Sequence, residues 1–148
     1  MADEIIKVDD INNGIRDYDV RELNAEQMPA YCSIVATTRE EQAKVFNAAN
    51  APKEKVADHI NKKIMVSDIY AETLDLVDKD TGEIEHAPRI VLIDDKGVGY
   101  ECVSVGMFSS LKKLIKSFGE PTWEPPLPCV VEQQKVANGS MLTIRVEY

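Results

Sequence analysis

Cysteine, histidine and basic charge are all scarce in this chain, and each scarcity removes a class of function. The three cysteines, Cys32, Cys102 and Cys129, stand far apart, are odd in number and are each set among apolar residues. Such spacing offers neither a disulfide framework nor a Cys-x-x-Cys metal site, and predicts buried thiols in a reducing cytoplasm. With His59 and His86 as the only histidines, a zinc site would have to gather carboxylates from distant segments, and no ligand spacing announces one. Lys and Arg number 17 against 26 Asp and Glu, a net charge of −9 that argues against nonspecific adhesion to polyanions while leaving room for a local basic groove. No apolar run approaches the ~18 residues of a spanning helix. The opening Met1-Ala-Asp-Glu-Ile-Ile-Lys7 has neither the basic nor the apolar region of an export signal. A soluble cytoplasmic protein with no membrane partner is expected.

Catalytic signatures are missing as well. Asp78-Lys79-Asp80-Thr81-Gly82 opens like a calcium loop, but its glycine comes one position early and no closing glutamate follows, so a hairpin turn is expected there instead. Gly97-Val98-Gly99 lacks the third glycine and the following helix of a dinucleotide fingerprint, and no P-loop is present. Neither histidine has a neighbouring serine or cysteine that could serve as a nucleophile. No enzyme activity, no cofactor and no metal are expected.

What is there fits one domain. The 148 residues suffice for a single core, with residues 1–60 expected as an N-terminal extension and residues 61–148 as a β-rich body. Residues 1–30 are polar and acidic, with Asn12-Asn13-Gly14 as a turn signal, and read as a weakly structured arm. Residues 31–36 form a short β-leaning run. Thr38 followed by Glu41 matches a capping box and starts a helix whose apolar face is Ala43, Val45, Phe46 and Ala49, ending near Asn50-Ala51-Pro52.

In the body, residues 64–77 predict one long strand with an irregularity at Ser67-Asp68, Arg89–Ile93 a second, and Val98–Val105 a third after the tight turn Asp94-Asp95-Lys96-Gly97. Residues 107–118 form a helix, with Met107, Phe108, Leu111, Leu114, Ile115 and Phe118 on one face and Lys112, Lys113 and Lys116 elsewhere. Pro121, Pro125, Pro126 and Pro128 hold an extended connection around Trp123. Strands at Cys129–Gln134 and Leu142–Tyr148 then flank an Asn138-Gly139 turn. Three strands, a helix and two strands is the order of an OB-fold, a five-stranded Greek-key barrel. An α+β sheet covered by one helix has the same linear order, and that alternative stays open here.

On an OB barrel, oligonucleotides stack on aromatics beside cations on the exposed face of the second and third strands. The candidate binding residues are Lys62, Lys63, Tyr70, Arg89, Lys96, Tyr100 and Trp123. Core packing competes for Tyr100 and Trp123, and Arg89 has a solvated strand position as its simpler reading. The three helix lysines are by default the wet side of an amphipathic helix.

The segments Asn24-Ala-Glu-Gln-Met-Pro-Ala-Tyr31-Cys-Ser-Ile-Val-Ala-Thr-Thr38, Pro88-Arg-Ile-Val-Leu-Ile-Asp-Asp-Lys96 and Phe118-Gly-Glu-Pro-Thr-Trp123 resemble a family of small single-stranded DNA-binding proteins encoded by bacteriophages and mobile elements of Gram-positive bacteria. The resemblance implies an OB-fold protein that coats single-stranded DNA with little sequence preference during phage DNA replication or recombination, without catalysis or cofactor. It transfers no site residues. Unlike cellular single-stranded DNA-binding proteins, the sequence ends in a β-strand pattern, Thr143-Ile-Arg-Val-Glu-Tyr148, and not in an acidic tail. Single-stranded DNA is the expected partner, with a homodimer through open edge strands and phage replication or recombination proteins as further candidates. The main rival is an acidic protein-interaction module or nucleic-acid mimic; a structural assembly protein on an α+β sandwich comes next.

Overall fold

The computed structural model of the chain describes residues 30–137 and 139–148. Residues 1–29 of the arm expected over 1–30, and the Asn138 half of the expected Asn138-Gly139 turn, lie outside the described residues. Seven strands and two α-helices are present among the described residues: β1 (Ala30–Cys32), α1 (Arg39–Asn50), β2 (Glu54–Lys55), β3 (Lys63–Val77), β4 (Ile84–Asp94), β5 (Gly99–Val103), α2 (Val105–Phe118), β6 (Leu127–Val136) and β7 (Gly139–Val146). A short 3-10 turn spans Val56–His59.

Strand β3 organises the sheet. The register against β4 shifts between Val66 and Asp68, where one extra residue is inserted. Side chains alternate along a strand, so an inserted residue switches which parity faces the core. Ile64 and Val66 point inward before the bulge and Ile69 and Ala71 after it, which keeps the apolar set on one side. The bulge is tied down by hydroxyls: Ser67 Oγ donates to the Asp94 carbonyl at 3.1 Å. Asp68, only 8% exposed, accepts hydrogen bonds from Ser33 Oγ at 2.8 Å, from Ser67 Oγ at 3.3 Å and from Thr122 Oγ1.

Strand β4 reads Ile90-Val91-Leu92-Ile93 without alternation because both its faces are covered. Ile90 and Leu92 belong to the main core with Ile64, Val66, Ile69, Met107, Leu111, Leu114, Leu127 and Val131. Val91 and Ile93 meet Ala48 of α1 on the outer face.

The sheet runs β2-β5-β4-β3-β6-β7, with β1 on the same side of β3 as β6. It curls into a half-barrel around α2. Seven strands, not five, build it, because Ala30–Cys32 adds to β3 and Glu54–Lys55 to β5 from the segment expected as an extension. Among the described residues no ladder joins β5 to β7. The first turn of α2 stands at that gap, its Gly106 against Met141 and Leu142 of β7, and Ser110 Oγ lies 2.8 Å from Thr143 Oγ1.

The helices follow their caps. Thr38 Oγ1 accepts from Glu41 N at 3.1 Å while Glu41 Oε1 accepts from Thr38 N at 3.2 Å, the reciprocal pair expected for α1. The buried contact of α1 is Ala48; Phe46 and Ala43 face water, in place of the expected apolar face, because α1 rests on the sheet through its small residues. Ser104 caps α2 by accepting from Met107 N at 3.0 Å, two residues earlier than expected. Met107, Leu111 and Leu114 fill the half-barrel, whereas Phe108 and Phe118, expected among them, stay 40% and 45% exposed at the margins of that face.

Other boundaries shift with the packing. β4 begins at Ile84, ahead of the expected Arg89, because its polar and proline-containing start pairs with the far half of β3. β1 stops at Cys32, short of the expected residue 36, because Ser33 replaces the next ladder pair, its Oγ accepting from Ile69 N at 2.9 Å. Of the cysteines expected to be buried, Cys129 is buried and Cys102 half-buried, but Cys32 is exposed on the short β1 edge. Burial pushes the thiols of Cys102 and Cys129 up to about 12, with Glu101 adding to the effect at Cys102.

Candidate nucleic-acid interface

The inner face of the β3–β4 hairpin continues beyond the core and forms the floor of an open cavity of about 400 Å³. Alternation places Ala71 and Thr73 of β3 opposite Ile90 and Pro88 of β4, and β1 lays Tyr31 beside Ala71. The opposite wall is the exposed side of α2, through Val105 and Phe108. Tyr31 and Phe108 are 39% and 40% exposed. Two half-exposed rings over an apolar floor offer flat surfaces that water covers poorly, the form of a stacking site.

Charge accompanies the rings. Lys112, one turn after Phe108, sets its ammonium 5.5 Å from the Phe108 ring centroid, a cation–π contact. Lys116 follows a turn later on the same exposed stripe. At the hairpin end of the cavity, His86 Nδ1 lies 2.8 Å from Asp75 Oδ1. Burial, then the Glu120 carboxylate, raises the Tyr31 phenol above its ordinary value.

None of the seven residues singled out from the sequence lines this cavity. Tyr70 and Arg89 come together on the outer face of the sheet beside Phe46 of α1. There Arg89 Nη2 donates to the Ala49 carbonyl at 2.7 Å and to Glu101 Oε2 at 3.0 Å, and Nη1 to Glu72 Oε2 at 3.4 Å. One guanidinium between two carboxylates leaves a locally negative surface, which repels a phosphate. Tyr70 donates to Glu72 Oε1 at 3.3 Å. Tyr100 packs against the core on the other face, its hydroxyl donating to Asp94 Oδ2 at 3.1 Å and its ring edge-on to His59. Trp123 is 6% exposed; its indole sits in the core and donates to the Gly119 carbonyl at 2.9 Å, so neither ring face is open to a base. Lys62 and Lys63 are exposed at the start of β3, and Lys96 on the β4–β5 turn.

Sequence reasoning did not single out Tyr31 and took Phe108 for core. A signal for Phe108 existed: Phe108, Lys112 and Lys116 share a helical stripe distinct from Met107-Leu111-Leu114. Tyr31 carried no such signal, since its neighbours across the sheet are some 40 residues away.

Residues 24–147 match the protein family described as phage single-stranded DNA-binding protein. The chain belongs to this family. No curated protein and no solved structure matches it. The family match spans every described element, both walls of the Tyr31–Phe108 cavity included. Among the described residues, no helix is long and apolar enough to cross a membrane, and no group of three or more His, Cys, Asp or Glu is placed to hold a metal ion.

Proposed function

We propose that this protein binds single-stranded DNA without catalysis, by stacking bases between Tyr31 and Phe108 and by neutralising phosphates with Lys112 and Lys116. The observation that carries the reading is the pairing of two half-exposed rings with a cation over one of them, in a member of a phage single-stranded DNA-binding family. Every base has a flat face, so such a site tolerates many sequences. Coating of DNA during replication or recombination of a phage or mobile element in the host cytoplasm follows from that tolerance.

We read the half-barrel as OB-like. Its support is the strand order β6-β3-β4-β5, in which three consecutive strands are joined by a fourth lying beside the first, as in a Greek key. In this reading Lys62, Lys63 and Lys96 are further phosphate contacts, while Tyr70, Arg89, Tyr100 and Trp123 serve the fold. Open edges at β7 and β2 leave room for a homodimer.

The test compares a labelled oligonucleotide of about 16 nucleotides as single strand and as duplex in a gel shift. Single-strand preference is expected, and Tyr31→Ala and Phe108→Ala are each expected to lower affinity by about 1 to 3 kcal/mol, with an unchanged urea midpoint. Phe46→Ala, on the outer face, leaves affinity unchanged. Wild-type protein that retards neither form at low salt overturns the proposal in favour of an acidic interaction module.

A further inference from the structure

A second cavity, of about 250 Å³, opens where the end of α1 meets the β4–β5 turn. Its side-chain lining includes Lys44, Asn47, Lys53 and Lys96, and its described lining contains no carboxylate. In a chain of net charge −9, three lysines line one concavity, with Asp94 and Asp95 preceding Lys96 on the same turn. Among the described residues none of the three lysines forms an ion pair.

The frame of the cavity is fixed by close backbone approach. A Cβ on Gly99 would lie 2.9 Å from Val91 Cγ1, 3.0 Å from the Ala48 carbonyl oxygen and 3.3 Å from Pro52 Cβ, so only glycine lets α1 and Pro52 close over the start of β5. Gly97, at φ +84°, bends the turn that presents Lys96. The volume falls below the roughly 300 Å³ at which pockets begin to hold drug-sized molecules. A small anion suits it better than a nucleoside.

The end of α1 contributes about half a negative charge, part of it already met by Arg89 Nη2 at the Ala49 carbonyl. Lys44, Lys53 and Lys96 carry three positive charges against that half charge and the carboxylates of Asp94 and Asp95 beside Lys96, which leaves the cavity a small net attraction for anions. We propose that this cavity is a second phosphate site, which takes a backbone phosphodiester of the same DNA strand as it leaves the Tyr31–Phe108 cavity. The proposal rests on the single-stranded DNA reading above. The two cavities lie toward opposite ends of β4, roughly 25 Å apart along the strand at about 3.3 Å per residue, and on opposite faces of the sheet, so a strand that joins them rounds the sheet edge. A short oligonucleotide therefore engages one of them, and a long one engages both.

The test uses the full chain with oligothymidylates of about 4 and about 16 nucleotides, the range of OB-type site sizes, and the triple variant Lys44→Gln, Lys53→Gln, Lys96→Gln. For the longer strand, the slope of log affinity against log salt is expected to flatten by about 0.7, the value for one lost phosphate contact, and low-salt affinity to fall at least tenfold. Binding of the shorter strand is expected to be unchanged. The variant Lys44→Arg, Lys53→Arg, Lys96→Arg keeps the charge and is expected to restore the slope. Were the slope for the longer strand unchanged in the Gln variant, the lysines would merely complement the helix end, and the proposal would fall while the Tyr31–Phe108 reading stood. Loss of binding to both lengths in the Gln variant, with an unchanged urea midpoint, also overturns it, because the cavity would then not be a separate site. Wild-type protein that binds neither length overturns both readings.

Discussion

Gly106→Ala brings helix propensity and packing into direct opposition at the seam between α2 and β7. In a helix interior alanine is favoured over glycine by about 0.8 to 1.0 kcal/mol, and at the second residue of α2 the gain is smaller. Gly106 does not face open water. A Cβ there would stand 2.2 Å from Met141 Cγ and 2.6 Å from the Leu142 carbonyl oxygen. The methionine side chain is flexible and can swing aside. The carbonyl cannot, because Leu142 is held in register with Gln133 of β6. Relief therefore requires the first turn of α2 to lift from β7, weakening the packing of α2 on β7 at the gap between β5 and β7. Overpacking of this kind costs about 1 to 3 kcal/mol, so a net loss of about 1 to 2 kcal/mol remains after the propensity gain. With a urea dependence of about 1 to 3 kcal/mol/M, the unfolding midpoint followed by circular dichroism should drop by roughly 0.5 to 1 M. Adding Met141→Ala should restore only part of it. A Gly106→Ala protein as stable as its parent, or more so, would refute the reasoning, because propensity would have won and the seam would be looser than described.

Leu111→Ala, at a site 4% exposed between Met107 and Leu114, should cost about 2 to 5 kcal/mol in the same assay. Thr38→Ala removes half of the α1 capping box and should cost about 1 kcal/mol, seen as lost helicity with the sheet signal intact; Thr38→Ser should recover most of it. Tyr100 gives a pH signature: burial and the hydrogen bond to Asp94 push its phenol from 10.0 up to about 12. Between those values the unfolded chain has lost a proton that the folded one keeps, so stability should fall as pH rises through that window. Tyr31 and Tyr70 are raised as well, so among the described tyrosines the signature is the latest step in tyrosinate absorbance, which should be absent in Tyr100→Phe.

Local chemistry was legible in the sequence and long-range placement was not. The Thr38–Glu41 box announced α1 because both partners lie within one turn, and the Ser67-Asp68 irregularity was visible because it breaks an apolar alternation. The extent of β4 back to Ile84 was hidden, since Glu85-His86-Ala87-Pro88 has little strand propensity and is held only by its register with β3. The role of Trp123 turned on whether the proline-rich connection folds inward, which is decided by its backbone N–H donating to the Ser67 carbonyl at 2.9 Å. Arg89 looked like a free cation because Glu72 and Glu101, which hold it, are 17 and 12 residues away in the chain.

The far half of the β3–β4 hairpin carries a consequence for cooperativity. Among the described residues β5 pairs with β4 only over Arg89–Ile93, and on the other edge β1 and β6 reach β3 only within Lys63–Glu72. From Leu74–Val77 against Ile84–Ala87 the ribbon is two-stranded among the described residues. Two strands alone are marginal in water, so this segment opens at a lower free energy than the body and forms a separate unit of hydrogen exchange. Its amides should exchange while those of Ile90–Leu92 stay protected, and His86 and Ala87 of the Tyr31–Phe108 cavity wall belong to the fast-exchanging side. Occupancy of the cavity should then register as slowed exchange across the ribbon, with the core unchanged, reaching amides of Leu74–Val77 that do not line the cavity.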